Sequence, residues 1–448
     1  MTSPDLSALA HALIDTALRV GADAADALVI EGTALGIDTR QGSLEQAERA
    51  EGIDLGLRVL IGQRQACVSA SDTSKATIDE LARRTIAMAR EAPEDASAGL
   101  AVTRQLSTVR DAAGLELADP APEPEAAELE RAALALEEAA RTRSGIRQVE
   151  ASASYSHRRL CIVQSNGFEG GYERTSHARS IIAFCGEGAA MERDHAFESR
   201  IFAADLPLLT KIGEQAAERA LARVGAVKPP TGRYPVLFDE RVAGSLIGHL
   251  LSAINGEAIA RGASWARDLM GKPVLPAGMS VSEDPLRPRA PASCPFDAEG
   301  LPVARRDFVL DGVLQAWVLD LATARRLGLQ STANARRGTS APPLPGTTNI
   351  DLTPGRQSRD DLIRSLGRGL LVTSLIGATI NPNNGDYSRG AAGMWIEGGA
   401  ISHPVHECTI AGNLRDMLLE IAAANDAQPH LSVRVPSILV QEMTIAGA

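Results

Sequence analysis

The sequence predicts a mixed α and β protein organised in three units, and three observations carry that prediction. Its 448 residues exceed the roughly 100–200 that one ordinary domain encloses. Two proline-rich breaks interrupt it, Asp119-Pro-Ala-Pro-Glu-Pro124 and Lys228-Pro-Pro-Thr-Gly-Arg-Tyr-Pro235. Prolines at that density fit neither a helix interior nor a central strand. Around these breaks, helical spacing of apolar residues gives way repeatedly to two-residue alternation. The expected units are residues 1–118, 119–229 and 230–448.

In the first unit Leu6, Leu9, Leu13, Ala17 and Leu18 fall at helical spacing and predict an amphipathic opening helix. Segments 27–30, 33–38 and 55–61 read as strands, the last turning through Gly62-Gln63-Arg64-Gln65 into a strand at 66–70. A helix over 75–92, marked by Ile78, Leu81, Ile86 and Met88, closes the unit. The second unit opens with a helix over 125–143, continues as several strands over 148–200 and returns to helix at 206–223. In the third, a helix is expected over 242–254, followed mainly by strands and loops, including the Pro/Arg stretch 284–295 and a long loop at 331–348. Asn413 reads as an N-cap with Asp416 at N3, and Leu414, Leu418 and Ile421 supply one apolar face, so a short helix begins there. Residues 441–448 read as a terminal strand.

Acidic residues outnumber basic ones by 56 to 45, for a formal charge of −11. No basic tract or basic stripe with interleaved aromatics occurs, which argues against a nucleic-acid partner. The longest mostly apolar stretch, 369–380, contains Thr and Ser and falls short of the ~20 residues a spanning helix needs, so no membrane association is expected. Cys67, Cys161, Cys185, Cys294 and Cys408 are odd in number and scattered, with no Cys-x-x-Cys, which suits a reducing compartment. The N-terminus lacks a basic region, and Asp5 and Asp15 bracket its apolar positions, so it does not read as a signal peptide. A cytoplasmic protein is expected.

Few side chains have the spacing that chemistry requires. His403-Pro-Val-His406-Glu-Cys408 carries the letters of a transition-metal site, but in a regular strand His406 and Cys408 share a face while His403 points away. At most two of the three then converge, and no distant segment identifies further ligands, so a half-exposed strand is the plain alternative. No Gly-x-Ser-x-Gly occurs, and Ser176 and His177 are neighbours that a strand sends to opposite faces. Gly167, Gly170 and Gly171 lack the strand-loop-helix context and the lysine of a phosphate loop. The segment Gly385-Asp-Tyr387-Ser-Arg389-Gly390 with Gly393 and Trp395 is the most informative. Glycines at this density let backbones approach closely, and Tyr387 and Trp395 can wall a groove for an extended peptide; a tightly turned hairpin is the alternative reading.

The run from Asn381 to Glu397, followed by Thr409-Ile-Ala-Gly-Asn-Leu-Arg-Asp-Met417, closely resembles the C-terminal signature of the TldD/PmbA family. The linker positions, Gly256-Glu-Ala-Ile-Ala-Arg261 and Ser282-Glu-Asp-Pro285 follow in the family's order, so the resemblance spans the chain. It implies an α+β fold of three parts, with α/β N-terminal units and a C-terminal domain rich in antiparallel β-strands. The family is known as a two-subunit zinc peptidase in which the TldD type carries His-Glu-x-x-x-His on a helix and the PmbA (TldE) type lacks it. Matching through Gly256 and Arg261-Gly262 places that motif on Ile247-Gly-His-Leu-Leu-Ser252, where Ile247 and Ser252 stand at the ligand positions and Gly248 at the carboxylate position. His249 lies inside the window at a non-ligand position. The catalytic type also has a cysteine ligand near its C-terminus, and Ser437-Ile-Leu-Val-Gln-Glu-Met443 contains none.

The resemblance therefore implies a PmbA-like subunit with no catalytic residues and no cofactor of its own. Its partner would be a TldD-like catalytic subunit carrying zinc, in a heterodimer that cleaves unfolded peptides such as precursors of modified peptides or labile antitoxins. Gly385, Tyr387, Arg389, Gly390, Gly393 and Trp395 would form the peptide groove or subunit contact. The alternative is a self-sufficient hydrolase, a homodimer with a metal site involving His403, His406 or Cys408.

Overall fold

The computed structural model describes residues 5–447 as an α+β protein, so the expectation of no leader at residues 1–4 and the last residue of the terminal strand lie outside the described residues. Helix α1 (Leu6–Val20) begins at Asp5, whose carboxylate accepts from the Ala8 N–H, and ends at Gly21 in the left-handed region. Then come β1 (Ala24–Arg40), β2 (Ser43–Ile61), β3 (Arg64–Ala70) and α2 (Lys75–Glu91). Past the first proline-rich break lie α3 (Ala126–Arg141), β4 (Ile146–Gln164), β5 (Glu169–Cys185), β6 (Glu192–Arg200) and α4 (Leu209–Leu221).

These strands form one antiparallel sheet in the order β3-β2-β1-β4-β5-β6, with Val29 opposite Cys161 at the join. The first two sequence units thus share a sheet. Leu13, Ala17, Val29, Leu57 and Ile86 fill the core under α1 and α2, while Leu35, Leu136, Val149, Ile181 and Ile212 fill the core under α3 and α4. The segments read as two strands at 27–30 and 33–38 are one strand, β1. Its first part is buried on both faces and only its second part alternates, so its pattern mimics two elements. The outer half of β2 is exposed on both faces and leaves no apolar signature.

The third unit opens with β7 (Gly232–Phe238), α5 (Glu240–Ala253) and α6 (Gly256–Ala260). A small sheet follows from β8 (Val281–Glu283), β9 (Arg306–Leu310), β10 (Val313–Leu314), β13 (Ile350–Leu352) and β18 (Val433–Arg434), with α7 (Leu321–Leu327) and the pair β11 (Ala335–Arg336) and β12 (Leu344–Pro345) between. After α8 (Arg359–Ser365) come β14 (Arg368–Ile380), β15 (Asp386–Glu397), β16 (Ala400–Asn413), α9 (Leu414–Leu419), β17 (Ile421–Ala423) and β19 (Ile438–Ala446). The order β16-β15-β14-β7-β19-β17 closes on itself through β16–β19, where Ile410 faces Ile445. Helix α5 packs against this barrel-like sheet through Ala243, Leu246, Ile247 and Leu250.

The loop before β12 docks the third unit on the first. Arg337 and Arg58 both grip Asp26, all three buried, and the Arg58 Nε donates to Asp26 at 2.6 Å. The two guanidiniums hold the Asp26 carboxyl below its usual range despite complete burial. At Gly56 a Cβ would press on the backbone of Thr339, so the loop lies directly on β2.

Candidate functional site

On α5 the window matched to the zinc motif is built for packing. Ile247 is wholly buried in the core. The Ser252 hydroxyl donates to the Gly248 carbonyl at 2.9 Å, and a Cβ on Gly248 would meet open space. His249 turns toward β15, its ring edge-on to Tyr387 at 5.8 Å, and burial together with Arg389 pushes its pKa down. An aliphatic chain, a hydrogen atom and a hydroxyl tied to backbone supply no donor set for zinc. The residues present do not fit the metal.

On β16 the structure separates the His/Cys group. Alternation breaks because Glu407 adopts φ 48 and the register with β15 shifts between Ala391 and Gly393. This bulge corrects the expectation that His406 and Cys408 share a face. Cys408 joins Val405 in the core, where its thiol donates to the Ala391 carbonyl at 3.2 Å and burial pushes its pKa up to about 11. His406 reaches Glu192 of β6 at 3.4 Å, and His403 contacts the Ser402 hydroxyl at 3.0 Å. Among the described residues no group of three or more His, Cys, Asp or Glu side chains is arranged to hold a metal.

The glycine-rich signature is β15, a strand inside the sheet. Tyr387 and Trp395 are core residues, 1 % and 3 % exposed, which corrects their expected role as groove walls. The glycines serve contacts within the sheet. A Cβ on Gly393 would overlap the Leu371 carbonyl of β14, Gly385 has φ 85 beside Trp265, and Gly390 has a milder approach of 3.3 Å to the Ile376 carbonyl. Arg389 donates to the Gly377 carbonyl at 2.6 Å.

The concave surface lies elsewhere. Strand β14 pairs with β7 only over Leu370–Val372 but with β15 as far as Ile380. Beyond Val372 its other edge has no partner strand among the described residues. That edge, with Thr373, Ser374 and Ile376, faces β5 and β6 across a cleft of about 720 Å³. Ile376 and Met191 expose 70 % and 55 % of their surface there. An ion-pair network fixes the wall of β6: Arg223 to Glu192 at 3.1 Å, Arg241 to Asp194 at 3.2 Å and His406 to Glu192. His406 thus contributes as a clamp between the middle and third units. Sequence reading missed this cleft, because its two walls are more than 170 positions apart and 369–380 reads only as a mostly apolar stretch.

Three consecutive family descriptions match the chain: PmbA/TldA metallopeptidase domain 1 over 25–89, the central domain over 117–224 and the C-terminal domain over 231–447. The metalloprotease PmbA of Escherichia coli O157:H7 is 34% identical over 439 residues, covering 97% of this chain and 95% of that protein. The PmbA homolog of Haemophilus influenzae is 33% identical over 97% of this chain and 94% of its own. Among solved structures, TldE from Thermococcus kodakarensis superposes with a TM-score of 0.84 at 20% identity over 98% of this chain and 100% of its own, a likeness of fold. A Bacteroides thetaiotaomicron protein described as a candidate modulator of DNA gyrase gives 0.92 at 25% identity over 100% of both chains. No helix among the described residues is long and apolar enough to cross a membrane.

Proposed function

Because the chain belongs to the PmbA/TldD metallopeptidase family, we propose that it is the subunit that shapes the peptide path of a two-subunit enzyme, while a TldD-like partner supplies zinc. One observation supports this reading: the α5 window matched to the family's zinc motif holds Ile247, buried in the core, Gly248, and Ser252, whose hydroxyl is bonded to backbone. Hydrolysis of a peptide at neutral pH by this route requires a metal-lowered water pKa and a carboxylate to take the proton. Neither can be assembled from an aliphatic side chain, glycine and a serine bonded to backbone.

The contribution of this chain is binding. An extended, unfolded peptide can satisfy its backbone groups on the free edge of β14 beyond Val372 while its side chains meet Ile376 and Met191 in the cleft. Main-chain pairing is indifferent to sequence, which suits substrates such as modified-peptide precursors or antitoxins that share only a lack of fold. The cytoplasm, where such substrates are made, is the proposed compartment.

The test is to purify the chain alone, measure its zinc, and assay unfolded peptides with and without chelator, before and after mixing with a TldD-like subunit. We expect no stoichiometric zinc and no cleavage from the chain alone, and chelator-sensitive cleavage by the mixture. About one zinc per chain with chelator-sensitive turnover by this chain alone would replace the proposal with the homodimeric reading.

A further inference from the structure

A second concavity, of about 290 Å³, lies between β6, α4, the start of α5 and the segment 428–431. It shares His195 with the larger cleft, so the two are continuous around β6. Its charge is unusual for an acidic chain. Lys211 and Arg219 line it, and neither has a carboxylate within ion-pair distance among the described residues; the Arg219 guanidinium donates only to the His195 carbonyl, at 3.0 Å. The other cation, Arg241, is already held by Asp194 and Asp239. Of the two carboxylates in the lining, Glu198 is paired with Arg200 and His430, and burial pushes Glu240 up to about 7, which halves its charge near neutrality. The rim is apolar, with Phe197 59 % and Leu431 40 % exposed.

We propose that this pocket anchors the C-terminal carboxylate of a peptide whose last side chain is apolar, with Arg219 and Lys211 receiving the carboxylate and Phe197 and Leu431 receiving the side chain. A half-buried guanidinium with unused donors is matched to a planar carboxylate. A chain end held here leaves the preceding residues to run along β6 into the larger cleft. The proposal rests on the reading that unfolded peptide passes over this face, but it concerns binding by this chain alone and needs no catalytic partner.

The probe is fluorescein-Ala-Ala-Ala-Leu, prepared as the free acid and as the C-terminal amide, with binding to the full chain followed by anisotropy. The free acid should bind at least tenfold more tightly than the amide. Arg219→Gln should abolish that difference, and Lys211→Gln, at an exposed position where folding is not at stake, should reduce it several-fold. Equal binding of acid and amide, discrimination that survives both substitutions, or no binding of either peptide would overturn the assignment. So would millimolar inorganic phosphate displacing the free acid no less effectively than an unlabelled free-acid peptide, since the pocket would then be a general anion site. If peptide cleavage by the reconstituted enzyme failed while this discrimination held, the functional proposal would fall and the carboxylate site would stand.

Discussion

Glu240 gives the most quantitative prediction. It is the first residue of α5 and faces Asp239 at the helix N-cap, Arg241 beside it, Arg219 of α4 and Asp426 of the loop between β17 and β18, with His195 and His430 lining the same pocket. Burial, and next the neighbouring Asp239 charge, raise its pKa from 4.5 to about 7. The fold therefore favours the neutral acid. The sign follows directly: this stability is fully present below about pH 4.5 and is lost as pH rises through about 7. At ~1.4 kcal/mol per pK unit the full difference is about 3.5 kcal/mol at alkaline pH, and solvent reaching the half-buried carboxyl reduces it to about 2 kcal/mol. Glu240→Gln is neutral at every pH and keeps the side-chain length. The variant should match the wild type near pH 4.5 and exceed it by about 2 kcal/mol at pH 8. That is roughly 2 °C in Tm if the whole chain unfolds cooperatively, and about twice that if the third unit unfolds alone. Calorimetric melting of both proteins at pH 4.5, 6 and 8 measures it. A difference in Tm that does not change with pH would refute the reasoning, because loss of a packing or capping contact has no such dependence.

Other substitutions test the remaining assignments. Cys408→Ala should cost about 1–2 kcal/mol from the lost buried sulfur yet leave two-subunit peptidase activity within a few-fold, read by chemical denaturation and turnover; a collapse in zinc content would restore the metal-site reading. His406→Ala, which removes the clamp to Glu192, should change stability by less than about 1 kcal/mol, because the pair is partly exposed. Gly393→Ala should destabilise by about 3 kcal/mol or more, or prevent folding, as the new methyl meets the Leu371 carbonyl, while Gly390→Ala should fold with a much smaller loss; comparable melting of the two variants would contradict this. Arg337→Met leaves Asp26 buried with one cation instead of two and should cost about 3 kcal/mol, seen as earlier proteolysis of the loop before β12.

Helices were the most legible elements. Leu6, Leu13 and Ala17 set α1, and Asn413 caps α9 through the Arg415 N–H, because caps and 3.6-residue spacing are local properties. That Ile247 and Gly248 carry no metal-donor atom was equally local, because side-chain chemistry does not depend on the fold. The letters also carried the family, as a sequence pattern over the whole chain. Tertiary structure alone decided where strands ended and what faced what. Buried strands such as the start of β1 have no alternation to read, and the outer half of β2 has no apolar face at all. One left-handed residue, Glu407, turned Cys408 into the core and left His406 for Glu192, a change of face that no local pattern announces. Tyr387 and Trp395 could have lined a groove or filled a core, and they pack in the core against His249 of α5 and Tyr234 of β7. The cleft and the pocket beside it join β6 to β14 and to α5, and contacts across such distances are fixed by packing rather than by neighbouring residues.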